Sequence, residues 1–254
     1  MRSSVLLAAL LLGSSARAEE PPEPDVQALI LFDSAYPQKA LELQATLGVE
    51  GQRSFGDWRA LELSLLVELG LTDQLQVEAR VPYPWALGGE ASGAEDSGIE
   101  VGLLYALVQD SRLGLVVSPG LEVQLPVSLS RSASPGLGVS PFVAVAKPLG
   151  PAHLHLNVGL EVQPPREGQP DVELRPEATF AATLPTETLV PMLEVGLRWE
   201  ETLRTWVSPG LVWKPTDGIE VGVGLPARLG PGGVEEIRPT VLLTGELELL
   251  SAGK

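Results

Sequence analysis

The sequence predicts an all-β fold, an antiparallel β-barrel of about twelve strands in meander order that crosses a membrane by its strands. Three observations point there. Apolar and polar residues alternate with period two over most of the chain from Leu41 onward. The aliphatic row this produces is far larger than the few hundred Å² of apolar patch that a soluble monomer tolerates in water. The connections between successive runs alternate between short and long, as they do in outer-membrane barrels.

Composition removes several other classes. The chain has 254 residues, 44% of them hydrophobic and 20% charged, so it has ample apolar surface and is not a disordered segment. It has no cysteine, which excludes disulfide scaffolds, thiolate zinc sites and cysteine nucleophiles together. Its 17 Lys+Arg stand against 33 Asp+Glu, a formal charge of −16, and this field repels a polyanion such as nucleic acid.

The N-terminus reads as an export signal. Arg2 precedes the apolar run Val5 to Leu12, and Ala16-Arg17-Ala18 supplies the small-x-small pattern for cleavage after residue 18. The apolar run is too short to span a bilayer as a helix, and the alternative is a buried N-terminal helix. Residues 19–40 form a lead-in on the periplasmic side. It opens with the charged, proline-rich Glu19-Glu20-Pro21-Pro22-Glu23-Pro24 and continues with the apolar patch Val26 to Phe32, whose order the sequence leaves open.

The barrel is assigned to 41–250, with a tail at 251–254. Its first run sets Leu41, Leu43, Ala45, Leu47 and Val49 opposite Glu42, Gln44, Thr46, Gly48 and Glu50. The second sets Leu61, Leu63, Leu65, Val67 and Leu69 opposite Glu62, Ser64 and Glu68. After the turn Thr72-Asp73-Gln74, Leu75, Val77, Ala79 and Val81 oppose Gln76, Glu78 and Arg80. A helix of period 3.6 would smear these faces around its axis. Continuing in this way gives twelve runs, at 41–50, 60–70, 75–82, 98–107, 113–125, 138–147, 152–163, 171–184, 189–199, 203–214, 218–227 and 236–248. Most lie near the roughly 9–11 residues that a tilted membrane strand needs. Tight turns are expected at 71–74, 108–112, 148–151, 185–188 and 215–217, and longer loops at 51–59, 83–97, 126–137, 164–170 and 228–235, with 200–202 a short exception.

Alternation also suits a soluble sandwich or a lipocalin-type barrel with its apolar face inward. Lipid on the outside is favoured because nearly all the charges share the face opposite the Leu/Val row, and glycines on that face suit a crowded lumen. Aromatics gather at run ends as interfacial girdles do: Trp58, Tyr83, Trp85 and Trp199 on the long-loop side, Tyr36, Tyr105 and Trp213 on the turn side. Pro119, Pro141, Pro176, Pro191, Pro209 and Pro239 fall within runs, where bulges, breaks or a partly open barrel are expected.

Several hairpins carry a family likeness. Gly70-Leu71-Thr72-Asp73-Gln74-Leu75-Gln76-Val77 with Val81-Pro82-Tyr83, then Lys147-Pro148-Leu149-Gly150 with Leu154-His155-Leu156-Asn157-Val158-Gly159, are two of them. A third is Glu194-Val195-Gly196-Leu197 with Thr216-Asp217-Gly218-Ile219 and Val221-Gly222-Val223-Gly224. Together they resemble the transporter-like outer-membrane barrels of Gram-negative bacteria known as the MetA pathway of phenol degradation. The likeness covers most of 60–228 and implies a barrel that takes up small, often aromatic, compounds. It supplies no catalytic residue. Barrels of that kind finish in an aromatic residue read by the assembly machinery, whereas this chain finishes Leu247-Glu248-Leu249-Leu250-Ser251-Ala252-Gly253-Lys254.

The polar face holds the candidate functional residues. Its acids are Glu42, Glu50, Glu62, Glu68, Glu78, Glu100, Glu122, Glu161, Asp171, Glu173, Glu177, Glu194, Glu220, Glu246 and Glu248, against Arg80, Arg175, Arg198 and Arg238. A narrow acidic lumen favours cations, and Arg80 and Arg198 could pair with acids across it; the alternative is a merely solvated surface. His153 and His155 share this face with Asn157 and Glu161. An H-x-H pair holds Zn²⁺ or Cu²⁺ if a third ligand arrives, and a nearby Ser would suggest hydrolysis, but two ordinary lumen residues are the plainer reading. No Gly-x-Ser-x-Gly elbow and no phosphate loop is present, so neither a catalytic residue nor a cofactor is expected.

The expectation is therefore a monomeric outer-membrane channel for passive passage of small aromatic or cationic solutes, contacting outer-membrane lipid and the barrel-assembly machinery. The alternatives are a non-conducting barrel filled by side chains and the Val26–Phe32 segment, and a soluble periplasmic sandwich that binds a ligand.

Overall fold

The structure, a computed structural model, describes residues 26, 29–32, 34–54, 57–87, 98–129, 135–165 and 171–249. The expected signal peptide, the proline-rich start of the lead-in and the tail at 251–254 lie outside the described residues.

Strand segments are the only regular elements among those residues. They are β1 (Glu42–Ser54), β2 (Asp57–Thr72), β3 (Leu75–Ala86), β4 (Glu100–Tyr105), β5 (Val108–Asp110), β6 (Leu115–Gln124), β7 (Gly138–Leu149) and β8 (Ala152–Gln163). They continue with β9 (Glu173–Thr183), β10 (Leu189–Trp199), β11 (Leu203–Thr216), β12 (Ile219–Gly224), β13 (Ala227–Gly230), β14 (Gly233–Ile237) and β15 (Thr240–Glu248). Neighbours in sequence pair antiparallel around a ring, and pairing of β1 with β15 closes it. Three staves are split in two: β4 with β5, β12 with β13, and β14 with β15. The fifteen segments thus form a closed twelve-stranded antiparallel meander barrel.

The faces follow the alternation. Along β1, Gln44, Thr46 and Gly48 are buried in the bore while Leu47, 42% exposed, points outward. Leu65 on β2 is likewise 43% exposed, and aliphatic residues of every stave share this outer surface. Buried side chains include Gln44, Gln76, His155, Thr183 and Glu194, which are polar. This inverts the soluble-protein arrangement, so hydrocarbon is the solvent that the outer surface suits.

The prolines correct one expectation. Pro119, Pro141, Pro176, Pro191 and Pro209 sit within unbroken strands, on the outward face. Each lacks one donor but keeps its carbonyl: Leu184 N–H donates to Pro191 O at 2.9 Å and Leu225 N–H to Pro209 O at 3.0 Å. Only Pro226 and Pro239 lie at strand breaks, between β12 and β13 and between β14 and β15.

Two of the expected long loops are instead strand. β1 continues to Ser54 and β2 begins at Asp57, pairing Arg53 with Trp58 and Ser54 with Asp57 after a register shift. β13 and β14 fill 228–235, closing at Gly230 and Gly233. In these extensions Trp58, Leu229 and Val234 are exposed, while Arg228 lines the bore.

Inside the bore lie the described residues of the lead-in. Val26 and Leu29, with Ile30 and Phe32 against them, pack on Ala181, Val190, Met192 and Val212. Ala35 and Tyr36 pack on Leu104, Val116, Phe142, Ala144 and Ala146. Tyr36 is therefore a buried lumen residue and not an interfacial one, because its segment turns into the barrel before β1 begins.

Candidate functional site

The site is the lumen, and its floor is the segment 26–38. From the start of β1 at the short-turn end this segment runs inward to about mid-height at Ile30 and Leu31. Val26 packs in one cluster with Val190, near the short-turn end of β10. Leu41, with a positive φ of 64°, makes the sharp bend between the lumen segment and β1, and its N–H donates to Gly70 O at 2.8 Å. Gly70 is required at this crossing, since a Cβ there would lie 1.9 Å from Lys39 O.

Polar groups fasten the segment on three sides. On the β1–β3 side, Gln38 N–H donates to Gln76 Oε1 at 2.9 Å and Gln38 Nε2 to Gln44 Oε1 at 2.8 Å. Gln44 and Gln76 then both donate to the buried Glu68 carboxylate. On β6, Ser118 Oγ donates to Ala35 O at 2.6 Å. On β10, Glu194 Oε1 accepts the Ile30 N–H at 2.9 Å. Segment and barrel thus satisfy buried polar groups that water would otherwise have to reach.

Above this floor three cavities of about 270, 470 and 780 Å³ share Glu100, Glu177 and Arg198 in their linings. The smallest lies against Leu29–Phe32 and carries four carboxylates, Glu68, Glu100, Glu122 and Glu177, with two guanidiniums, Arg80 and Arg198. The largest lies at the long-loop end and is balanced. Arg59, Arg175, Arg198, Arg204, Arg228 and Arg238 meet Glu100, Glu122, Glu161, Glu177, Glu200 and Glu236 there.

Ion pairs link neighbouring staves. Arg198 holds Glu177 at 2.8 Å and Glu161 at 3.9 Å, and Arg175 holds Glu173 at 2.9 Å and Glu161 at 3.5 Å. Arg80 lies 3.6 Å from Glu100. Arg238 bridges Glu50 and Glu236, and with Arg228 it lies over the Trp206 ring, at 4.5 and 5.7 Å from the centroid.

Of the sequence-derived candidates, Glu50, Glu62, Glu68, Arg80, Glu100, Glu122, Asn157, Glu161, Arg175, Glu177, Arg198 and Arg238 line these cavities. Others serve the floor or the wall. Glu42 caps Lys39 N–H at 3.0 Å, Glu78 accepts from Gln76, Glu173 holds Arg175, Glu194 lies under Ile30, and Glu220 meets Lys214 at 3.0 Å. His155 is buried edge-on to Tyr36, 6.4 Å between centroids. Among the described residues no third His, Cys, Asp or Glu joins His153 and His155 as a metal site.

Trp58, Tyr83, Trp85, Trp199 and Trp213 are exposed on the outer face, with the Tyr83 and Trp85 rings in edge contact at 4.6 Å. Tyr105 points outward, partly covered. Sequence reasoning missed Arg59, Arg204, Arg228, Glu200, Glu236 and Trp206. For Arg204, Trp206, Arg228 and Glu236, continuing the inward parity of β11, β12 and β15 along their staves finds them.

A closed antiparallel twelve-stranded barrel with a polar bore is the architecture of outer-membrane porin-like barrels. Solved structures share it: a NanC porin (14% identity over 79% of this chain and all of that one, TM-score 0.61) and a COG4313 outer-membrane channel from Pseudomonas putida F1 (13%, 86% and all, 0.61). A KdgM porin in complex with disordered oligogalacturonate is similar as well (12%, 80% and 98%, 0.58). At such identities the likeness is one of fold. The sequence matches no protein-family profile and no curated protein.

Proposed function

We propose that the protein is an outer-membrane channel for passive passage of small solutes, exported by its N-terminal signal and seated as a monomer in outer-membrane lipid by the barrel-assembly machinery. The observation that carries this reading is the run of charged cavities inside a barrel whose outer surface is aliphatic. The fold shared with porins and with a COG4313 channel supports it, as does the hairpin likeness to the MetA-pathway barrels, which adds small aromatic compounds to the candidate solutes. The protein has no enzymatic role in this reading. In the smallest of the cavities, four carboxylates against two guanidiniums make the lumen acidic and favour cations.

The described residues of the 26–38 segment, packed inside the bore, favour a second reading, a barrel closed to flow in this conformation. Planar-bilayer recording of the full mature chain and of a chain lacking residues 19–38 decides between them. Passage in both, larger in the truncated form and cation-preferring, is the expected result. Silence in both overturns the channel reading and leaves a structural or lipid-interacting barrel.

A further inference from the structure

Glu194 stands apart from the other lumen acids. Its side chain is wholly buried, its Oε2 has no hydrogen-bond partner among the described residues, and no Lys, Arg or His among them pairs with it. The donors that meet it belong mainly to the lumen segment. Ile30 N–H donates to Oε1 at 2.9 Å, and the next N–H, that of Leu31, flanks the same carboxyl together with the Ser208 hydroxyl. Two successive N–H groups converging on one carboxylate do what the N–H fan of a single ammonium does.

What covers this carboxyl is the segment and not the wall. The inward positions around Glu194 are small: Gly196 on its own strand, Ala181 opposite it on β9, and Ser208 opposite it on β11 with Gly210 beyond. From Glu194 an apolar strip runs toward the short-turn end, with Met192 and Val190 on β10 beside Val212 on β11, and Val26, Leu29 and Ile30 fill it. The four residues from Glu194 to Val190 span roughly 13 Å of extended strand. Wall and segment together have the form of a site, one acceptor at the end of an apolar strip, with a piece of the chain itself in the place of a ligand.

We infer that this wall binds small apolar amines, an ammonium carried on a linear hydrocarbon body, and that the lumen segment occupies their site as an internal competitor. The ammonium replaces the Ile30 and Leu31 N–H groups on Glu194, and the hydrocarbon replaces Leu29 and Ile30 over Met192, Val190 and Val212. Neither half suffices alone. A hydrocarbon without donors leaves a buried carboxylate unmet, and an ammonium without a body leaves the apolar strip open to water. A carboxylate on the same body meets Glu194 as a like charge. Binding displaces the segment that fills the bore, so the solute opens its own path. The inference rests on the channel reading for its purpose and narrows its solutes, but the exchange of solute for segment does not need flow.

The chain has no cysteine, so Leu29→Cys places a single thiol in the buried contact. Its labelling by iodoacetamide at neutral pH, in the full mature protein in detergent, reads displacement of the segment. Ala35→Cys, also buried in the segment, is a second reporter. The probes are hexylammonium, butylammonium, methylammonium, hexanol and hexanoate. Hexylammonium should speed labelling with a half-maximal concentration at least about tenfold below that of hexanol, the least that one hydrogen bond to a charged group supplies. Butylammonium should be weaker than hexylammonium, and methylammonium and hexanoate should leave the rate unchanged. Glu194→Gln should abolish the advantage of hexylammonium over hexanol, while Glu100→Gln, which removes an acid from the cavities above, should keep it. Equal potency of hexylammonium and hexanol, or an advantage that survives Glu194→Gln or is lost equally in Glu100→Gln, overturns the inference. Amine-driven labelling without conductance in the bilayer experiment retains it and removes the channel reading instead.

Discussion

Ile30 and Glu194 are 164 positions apart in sequence, yet the backbone N–H of the first donates to the carboxylate of the second at 2.9 Å in the middle of the barrel. Glu194 is wholly buried, between Ala181 on one neighbouring strand and Ser208 on the other. A buried carboxylate is costly unless donors meet it, so the lumen segment and this side chain stabilise each other.

Glu194→Ala should therefore loosen the segment. A hydrogen bond to a charged group contributes about 1.5–3 kcal/mol, which corresponds to a roughly 10- to 150-fold rise in the population with the segment displaced. Limited proteolysis within 26–38 and bilayer conductance should rise together in this variant. Glu194→Gln, which keeps an acceptor for Ile30, should stay near the parent. If the alanine variant is cut no faster than the parent, the bond does not hold the segment.

The Gln38–Gln44–Glu68–Gln76 network yields a graded pair. Gln76→Leu removes a donor from the buried Glu68 carboxylate and the acceptor of Gln38 N–H, leaving orphaned groups at about 1–3 kcal/mol each. Gln38→Ala leaves only the Gln44 oxygen and a little space. The first should lower the midpoint of heat-modified mobility in gels markedly more than the second. Equal shifts would mean that Glu68 is satisfied by other donors.

How much of this could be read beforehand depends on what each residue meets. β8 and β10 occupy 152–163 and 189–199, the limits that alternation alone predicts, because one face touches lipid along their whole length. The continuation of β1 past Glu50 and the β13–β14 hairpin were not legible, since Gly51-Gln52-Arg53-Ser54 and Gly230-Pro231-Gly232-Gly233 interrupt the apolar row that marks a strand in the sequence. Nor was the lumen floor. Val26, Leu29 and Tyr36 show no period, and what makes them lumen residues is contact with Val190, Met192 and Val116, far along the chain. Arg204 and Arg228 escaped notice although the inward parity of β11, and that of β12 carried past Pro226, reaches both.

Orientation of the two faces is tested by Leu65→Arg and Ser64→Arg, neighbours on β2 that point to opposite sides. Leu65 is outward at the middle of the strand, where an arginine facing the bilayer midplane costs about 2–4 kcal/mol. Ser64 lines the 270 Å³ cavity beside Glu68 and Glu122, where a cation finds partners. Denaturant refolding into vesicles should show a large loss for the first and a small change for the second. A tolerated Leu65→Arg would mean that the aliphatic row does not meet hydrocarbon.

Selectivity should respond to a single guanidinium. Arg198 is one of the two cations in the 270 Å³ cavity, where four carboxylates already outnumber them, and it is held between Glu177 and Glu161. Replacing it by Gln leaves one guanidinium against four carboxylates and frees two acids from their partner. The screening length is about 10 Å at 0.1 M salt, so the added field acts well beyond the Arg198 site itself. In a chain lacking residues 19–38, reversal potentials under a KCl gradient should move toward the potassium value in Arg198→Gln and back in Glu177→Gln. The shifts should shrink as salt rises toward 1 M, where screening falls to about 3 Å. A reversal potential unmoved by either change would place the selective section elsewhere in the lumen.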